Sequence, residues 1–246
     1  MWSTSDLTRF GRDGYLVAHG VVAPTLQAAA CARIRELLVT RPVPAGHTGH
    51  HFYFLRSADE PVLVALLTDS GTLDLAAALT APRRINPPAQ VQVALTFPPH
   101  QHRPGGGHLD GFAPTEPDGR PGTFTLLAGV VLSDQTRPDS GNLIVWPGSH
   151  HATADLVRQQ GADALIATGG HPDIPHDNPT PVMAAAGDVV YCSYLLSHNT
   201  GPNISDAVRT TVYFRLAVES HRTDWYQAIR DHLHEFPQVR RVLAQQ

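Results

Sequence analysis

Ala89-Gln90-Val91-Gln92-Val93-Ala94-Leu95-Thr96-Phe97 alternates without a break: Val91, Val93, Leu95 and Phe97 fall on one side of an extended chain, Gln90, Gln92, Ala94 and Thr96 on the other. A period of two is that of a β-strand with unlike faces. Upstream the period is helical. Leu26, Ala29, Ala30, Ala32, Ile34, Leu37 and Leu38 predict an amphipathic helix from Pro24 to Thr40, with Pro24 in the first turn, where its missing N–H costs nothing. Asp6–Arg12 predicts a short helix ended by Gly14, ahead of the apolar strand Tyr15–Ala18, and residues 60–81 predict two short helices punctuated near Asp69-Ser70-Gly71. His51–Leu55 is a further candidate strand. Downstream, strands are predicted at Thr123–Leu132, Asn142–Trp146, Asp188–Leu196 and Arg209–Val218, separated by turns such as Pro104–Gly107 and Pro147-Gly148. Many short strands preceded by helices predict a mainly β, α+β fold: a jelly roll or distorted barrel buttressed on one side by N-terminal helices. One domain is expected over 1–246, with a helical part at about 1–85, the strand-rich core at about 86–220 and a C-terminal helix at about 223–244. The loop Gly169–Pro181, with four prolines and two histidines, reads as a mobile cover for a site.

Composition narrows the function classes. Net charge is −4, which gives no long-range pull toward nucleic acid or anionic membrane. All 18 basic residues are arginine, and without lysine no Schiff-base or lysine general-base mechanism is open. Two cysteines, Cys31 and Cys192, are expected as buried free thiols. The N-terminus has neither a basic region nor an apolar stretch, and no apolar run approaches the ~18 residues of a membrane span. The expectation is a soluble cytoplasmic protein with a small-molecule substrate and neither nucleic acid nor membrane as partner; oligomeric state is not legible.

Among 15 histidines, one group stands apart. His108-Leu109-Asp110 follows a Gly-rich turn and places imidazole and carboxylate at i and i+2, on one face of extended backbone. His198, at the end of the apolar run Val189–Leu196, completes a two-His, one-carboxylate set, the donor pattern of non-haem iron(II) oxygenases with open coordination positions. His47, His50-His51, His150-His151, His232 and His234 read as surface or loop residues. On the strand from Arg209, Val212, Phe214, Leu216 and Val218 form one face and Arg209, Thr211, Tyr213 and Arg215 the other. An arginine facing into a barrel needs an anion, and a dicarboxylate such as 2-oxoglutarate, forked onto the guanidinium, answers that need. If the face looks outward, Arg209 is simply solvated; the pattern leaves both open.

At these residues the chain resembles the phytanoyl-CoA dioxygenase family of iron(II)/2-oxoglutarate oxygenases. Phe10-Gly11-Arg12-Asp13-Gly14-Tyr15-Leu16-Val17 is similar to the family's N-terminal signature. His108-Leu109-Asp110-Gly111, Ser140-Gly141-Asn142-Leu143, Trp146-Pro147-Gly148-Ser149-His150, Gly187-Asp188-Val189-Val190, His198–Asn203 and Arg209 follow in the family's order. The resemblance implies a double-stranded β-helix (a cupin-like jelly roll), with His108, Asp110 and His198 holding Fe(2+) and carrying catalysis. It places 2-oxoglutarate on Arg209, with Thr200 contacting this co-substrate. It also implies use of O2, release of succinate and carbon dioxide, and oxidation, most often hydroxylation, of a small metabolite or natural-product intermediate. Asp110 is the residue that related halogenases replace to admit chloride, so halogenation is not expected here. Pro-Gly-Ser-His reads as a turn ending a strand, with His150 outside the metal shell. Two other readings stay open: a non-catalytic relative acting as a binding protein, and a metal-dependent cupin-like hydrolase or isomerase, neither of which has an evident use for Arg209.

Strand parity puts Arg215 on the same face as Arg209, ~20 Å along an ideal strand, too far for one dicarboxylate. Arg215 is therefore assigned to the substrate pocket with Gln92, Phe112 and Trp146, the alternative being an ion pair at the barrel's far end.

Overall fold

A computed structural model describes residues 1–112 and 116–246. The chain opens with α1 (Thr4–Asp13), β1 (Tyr15–Ala18) and α2 (Pro24–Thr40), followed by β2 (Gly49–Arg56), α3 (Pro61–Thr68) and α4 (Thr72–Thr80). Helix α1 begins at a reciprocal cap, in which Ser3 Oγ accepts from the Asp6 N–H and Asp6 accepts from the Ser3 N–H, and it ends at left-handed Gly14. Then come β3 (Gln90–Phe97), β4 (Leu126–Val131), β5 (Leu143–Val145), α5 (Ser149–Gln160), α6 (Asp163–Ala167) and β6 (Thr180–Pro181). The last elements are β7 (Val189–Ser193), β8 (His198–Thr200), β9 (Arg209–Leu216), α7 (His221–Arg230) and α8 (Pro237–Leu243).

The strands form two antiparallel sheets, a large one in the order β1-β7-β4-β9-β3-β2 and a small one in the order β6-β5-β8. This is the jelly-roll, α+β architecture. Parity along each long strand decides which layer a side chain enters. On β4, Leu126, Ala128 and Val130 join Val91, Val93, Leu95, Val212, Phe214 and Leu216 on the face covered by α2, α3 and α4. The alternate residues Leu127 and Val131, with Ala94, Val190, Cys192 and Tyr213, face Leu143 and Val145 of the small sheet. Both faces of the large sheet are therefore buried, and the second layer is where the chemistry sits.

Several elements differ from the sequence reading. The N-terminal part does more than buttress, because β1 and β2 are the two edge strands of the large sheet. Pro147-Gly148 ends a strand as expected, yet Ser149 then starts the 12-residue helix α5, which the mixed polarity of Ser149–Gln160 concealed. The apolar run ending at Leu196 is not one strand: β7 stops at Ser193, a turn follows, and His198 opens β8 in the other sheet. The C-terminal helix is two helices, broken between Asp231 and Phe236 and restarted by Pro237. Across that break runs a buried chain, with Thr123 Oγ1 2.9 Å from His221 Nε2 and His221 Nδ1 2.9 Å from Glu235. Among the described residues no single helix is long and apolar enough to cross a membrane; the bent pair α3–α4 is apolar because Leu63, Leu66, Leu67, Ala76 and Leu79 fill the core.

Tyr191 crosses from β7 to α4, its hydroxyl donating to the Thr72 carbonyl at 2.9 Å inside the core. Tyr191→Phe is expected to lower unfolding free energy by about 1 kcal/mol in a denaturant titration, the cost of one lost buried hydrogen bond, without changing metal binding.

Candidate metal and co-substrate site

His108 and His198 stand directly opposite one another and exchange both backbone hydrogen bonds, His108 N–H to His198 O at 3.0 Å and His198 N–H to His108 O at 3.2 Å. That pairing sets the two imidazoles side by side, ring centres 4.7 Å apart. Asp110 lies two residues on, where the backbone turns at Gly111. With φ +83° and an added Cβ 2.1 Å from the Gly122 carbonyl oxygen, position 111 accepts only glycine. Asp110 Oδ1 is 3.6 Å from His108 Nε2 and 3.9 Å from His198 Nε2, and all three ligating atoms lie within 4.8 Å of one another.

The surroundings fix each ligand. His198 Nδ1 lies 3.1 Å from the Leu196 carbonyl; a carbonyl only accepts, so Nδ1 carries the hydrogen and Nε2 presents its lone pair. Burial, helped by neighbouring His108 and opposed by Asp110, pushes the His198 pKa down to about 4, so the ring is neutral at pH 7. Burial works to raise the Asp110 carboxyl, but its hydrogen bond to His108 and its interactions with His198 and the Arg215 guanidinium outweigh that and hold it well below the usual carboxylate range. Two imidazole nitrogens and one anionic oxygen, clustered and with His198 Nδ1 and Asp110 Oδ2 engaged elsewhere, fit a divalent iron ion.

Arg215 reaches the same carboxylate. Its Nε and Nη2 donate to Asp110 Oδ2 at 3.0 and 2.8 Å, leaving Oδ1 toward the histidines. The inward orientation read from strand parity holds, but Arg215 has its anion in Asp110 rather than in a ligand or in an ion pair at the far end of the barrel. The strand pattern gave no sign of this partner, because the two residues are distant in sequence. Tyr194 Oη donates to the Asp110 backbone carbonyl at 3.0 Å, and the Leu109 N–H to the Gly170 carbonyl at 2.7 Å. The Gly169–Pro181 loop thus packs on the ligand segment, with the rings of His171 and His108 6.0 Å apart.

Beside the ligands is a small cavity of ≈ 70 Å³ lined by Phe52, Gln92, Ala94, Leu127, Leu143, Asn199, Thr200 and Tyr213. Gln92 and Thr200 are placed there as expected. Phe112 and Trp146 are not. Beyond the Gly111 turn, Phe112 packs inward on Tyr194, ring centres 6.2 Å apart, and Trp146 is buried with its indole N–H donating to the His176 carbonyl at 2.9 Å. Arg209 is buried behind the cavity. Nη2 donates to Tyr213 Oη at 2.6 Å, Nη1 approaches the Ala94 carbonyl at 3.5 Å and Nε has no partner. Among the described residues no Asp or Glu pairs with it, so a buried cation waits for an anion. Its stem is held by Gly141 (φ +75°), where a Cβ would come within 2.6 Å of Arg209 Cβ.

Three residues escaped the sequence reading. Tyr213 shares Arg209's parity and was assigned no role. Phe52 and Phe54, both exposed, pair with Ala94 and Gln92 and so stand on the cavity side of β2; the strand at His51–Leu55 is as expected, but the pattern assigns its aromatics no role. A larger cleft of ≈ 580 Å³, between the end of β2, α3 and residues 85–89, brings together no set of metal-binding side chains.

The model of the phytanoyl-CoA dioxygenase family matches residues 10–211. The chain belongs to that family. It is accordingly a 2-oxoglutarate-dependent dioxygenase that uses iron(II), 2-oxoglutarate and O2. No curated protein sequence matches it. Among solved structures it is similar to HygX from Streptomyces hygroscopicus with nickel and 2-oxoglutarate bound, at 19% identity over 88% of this chain and 87% of that one, TM-score 0.61. The non-heme alpha-ketoglutarate-dependent carbocyclase SnoK from nogalamycin biosynthesis is 21% identical over 91% and 90%, TM-score 0.61. EctD from S. alaskensis with bound Fe is 21% identical over 88% and 76%, TM-score 0.61. At these identities the likeness is one of fold.

Two outcomes follow from the geometry. Arg215→Gln frees Asp110 Oδ2 and is expected to weaken iron(II) affinity roughly 10- to 100-fold, measured by anaerobic titration. Gly141→Ala is expected to cost about 1–3 kcal/mol in thermal unfolding, through backbone strain and the collision with the Arg209 stem.

Proposed function

We propose that the protein oxidises a small metabolite or natural-product intermediate, most simply by hydroxylation, at iron held by His108, Asp110 and His198, with Arg209 and Tyr213 holding the co-substrate. The observation that carries this reading is the conjunction of three clustered ligands with a buried, acid-free arginine behind the same cavity. A hydrolase or isomerase on the same ligands has no use for that arginine, and a binding protein has no use for a carboxylate held ionised beside two imidazoles. Bound there, iron(II) with 2-oxoglutarate and O2 supplies the oxidising chemistry, with succinate and carbon dioxide as co-products.

The chain's own residues supply placement. Arg209 donates to Tyr213 Oη, so the phenol hydrogen is free to point into the cavity. Guanidinium and phenol together offer the distal carboxylate of 2-oxoglutarate two donors in an apolar setting, where charge-assisted hydrogen bonds are strong. Thr200, on the cavity wall, is positioned to add a hydroxyl contact. Arg215 keeps Oδ2 of Asp110 occupied and thereby aims Oδ1. At the mouth, His50, Phe52 and Phe54 make a row along one face of β2, successive ring centres 6.1 Å apart, with the Arg215 guanidinium carbon 6.0 Å from the Phe54 ring. Exposed aromatics beside the cavity suit a substrate with an apolar or ring face, and Gln92 offers it an amide. HygX has been crystallised with hygromycin B, and SnoK belongs to nogalamycin biosynthesis. Both support natural-product chemistry as the class to screen.

The test is substrate-stimulated succinate formation across a metabolite library, with products weighed for a gain of 16 mass units. Succinate formation that no library member stimulates, or equal activity with zinc in place of iron, would overturn the reading. Arg209→Ala is expected to weaken 2-oxoglutarate binding roughly 10- to 100-fold, as loss of a charged hydrogen-bond pair implies. Phe54→Ala is expected to raise the KM for the primary substrate while leaving that for 2-oxoglutarate unchanged.

A further inference from the structure

Away from the cavity, three more histidines converge. His150 and His151 stand in the first turn of α5, and His232 lies in the break between α7 and α8. Their rings are packed together, with centres 4.1 Å apart for His150 and His151, 4.2 Å for His151 and His232 and 5.2 Å for His150 and His232. Each can present a ring nitrogen within 4.8 Å of the other two. The sequence reading set all three aside as surface or loop residues. His150 is in fact almost wholly buried, and the other two are half-buried. We propose that His150, His151 and His232 form a second divalent-metal site that takes a zinc-class ion and fastens the C-terminal helices to α5.

Hydrogen bonding prepares His150 for this role. Its Nε2 lies 3.1 Å from the Gly11 carbonyl, which can only accept, so Nε2 carries the hydrogen and Nδ1 is a bare lone pair. That Nδ1 is buried without a partner, and so is His232 Nδ1. Buried polar atoms in folded proteins are nearly always partnered, and two orphans in one cluster point to a missing ligand. Gly14 keeps the space beside His150 Nδ1 clear, since a Cβ there would stand 2.7 Å from it. A ligating histidine whose other nitrogen donates to a backbone carbonyl is the usual arrangement in metal sites. Burial, then the neighbouring rings, lowers the His150 pKa well below normal and takes His232 to about 4, which leaves these two rings neutral at pH 7.

The donor set selects the ion. Imidazole nitrogens suit zinc, copper and nickel and are poor ligands for magnesium or calcium. In a tetrahedral site with metal–nitrogen bonds of about 2.0–2.1 Å, nitrogens stand roughly 3.3 Å apart, so atoms that lie within 4.8 Å of one another need to close by up to about 1.5 Å. The fourth position is left to water. Nearby cations do not forbid the ion, because Arg158 is paired with Asp155, and Arg240 donates to Asp231 at 2.5 Å. Glu235 is engaged by His221 and is not counted as a ligand.

The site is separable from the iron triad, and so is its test. Chelator-treated His108→Ala/His198→Ala protein, which lacks two of the three triad ligands, is titrated with zinc and, in parallel, with cobalt(II) as a spectroscopic probe. One equivalent of zinc should bind, raise the melting temperature and, for cobalt, give the visible bands of a nitrogen-ligated ion. Adding His232→Gln or His151→Gln to that background should weaken binding at least tenfold and abolish the melting shift; two variants guard against one that misfolds, with circular dichroism reporting the fold. Absence of zinc binding in the triad-deficient protein, or binding that survives both substitutions, would overturn the proposal and show the three rings to be ordinary aromatic packing. Neither result bears on the oxygenase reading, which rests on other residues.

Discussion

A carboxylate in a protein interior stays ionised and aimed only if its oxygens are answered, and the pairing of Asp110 with Arg215 does this for the whole site. Arg215 takes Oδ2 with two donors, which turns Oδ1 toward the two imidazoles. The arginine is itself a product of sheet order. It projects from β9, an interior strand flanked by β4 and β3, so its position is set by ladders on both sides. The opposite partners, His108 and His198, are locked by their mutual backbone hydrogen bonds. The three side chains are thus held between two frames, the paired backbone of His108 and His198 on one side and β9 on the other, with the Arg215 side chain linking β9 to Asp110.

The same strand organises the two ends of the space proposed for the co-substrate. Arg209, Tyr213 and Arg215 share a face, and the period of two delivers them in sequence: a buried cation behind the cavity, a phenol on its wall, and a cation on the metal carboxylate. Val212, Phe214 and Leu216 between and beyond them anchor the strand in the helix-covered core. Chemistry and packing are therefore carried by alternate residues of one segment. A shift of register by a single residue would exchange them, which is why the hydrophobic face specifies the site as strictly as the polar one.

What was legible in the chain follows from how local its cause is. The strands at 89–97 and 209–218 were readable because alternation is a property of neighbouring residues, and their faces fall as read. The clustering of His108, Asp110 and His198 was legible because metal chemistry restricts the donor types and the i, i+2 spacing puts two of them together. Nearness in sequence misled for Phe112, where the left-handed turn at Gly111 reverses the chain and sends the ring into the core. Trp146 misled because an aromatic beside a motif carries no sign of which layer it enters. The Arg215–Asp110 pair and the convergence of His150, His151 and His232 were beyond a linear reading, since each joins segments that meet only when the sheets and helices close.

The strand that carries Phe52 and Phe54 is bonded to the rest of the sheet on one side only, through β3. A side chain on such an edge has fewer neighbours to disturb than one on β4 or β9, so replacing it costs the scaffold little. The molecule therefore separates what must stay from what is free to drift. On the proposed reading, His108, His198, Arg209 and Arg215 sit on paired backbone, while the aromatic surface assigned to the substrate lies on the margin. Evolution can rewrite that margin residue by residue and change the range of molecules admitted, with the oxidising centre untouched.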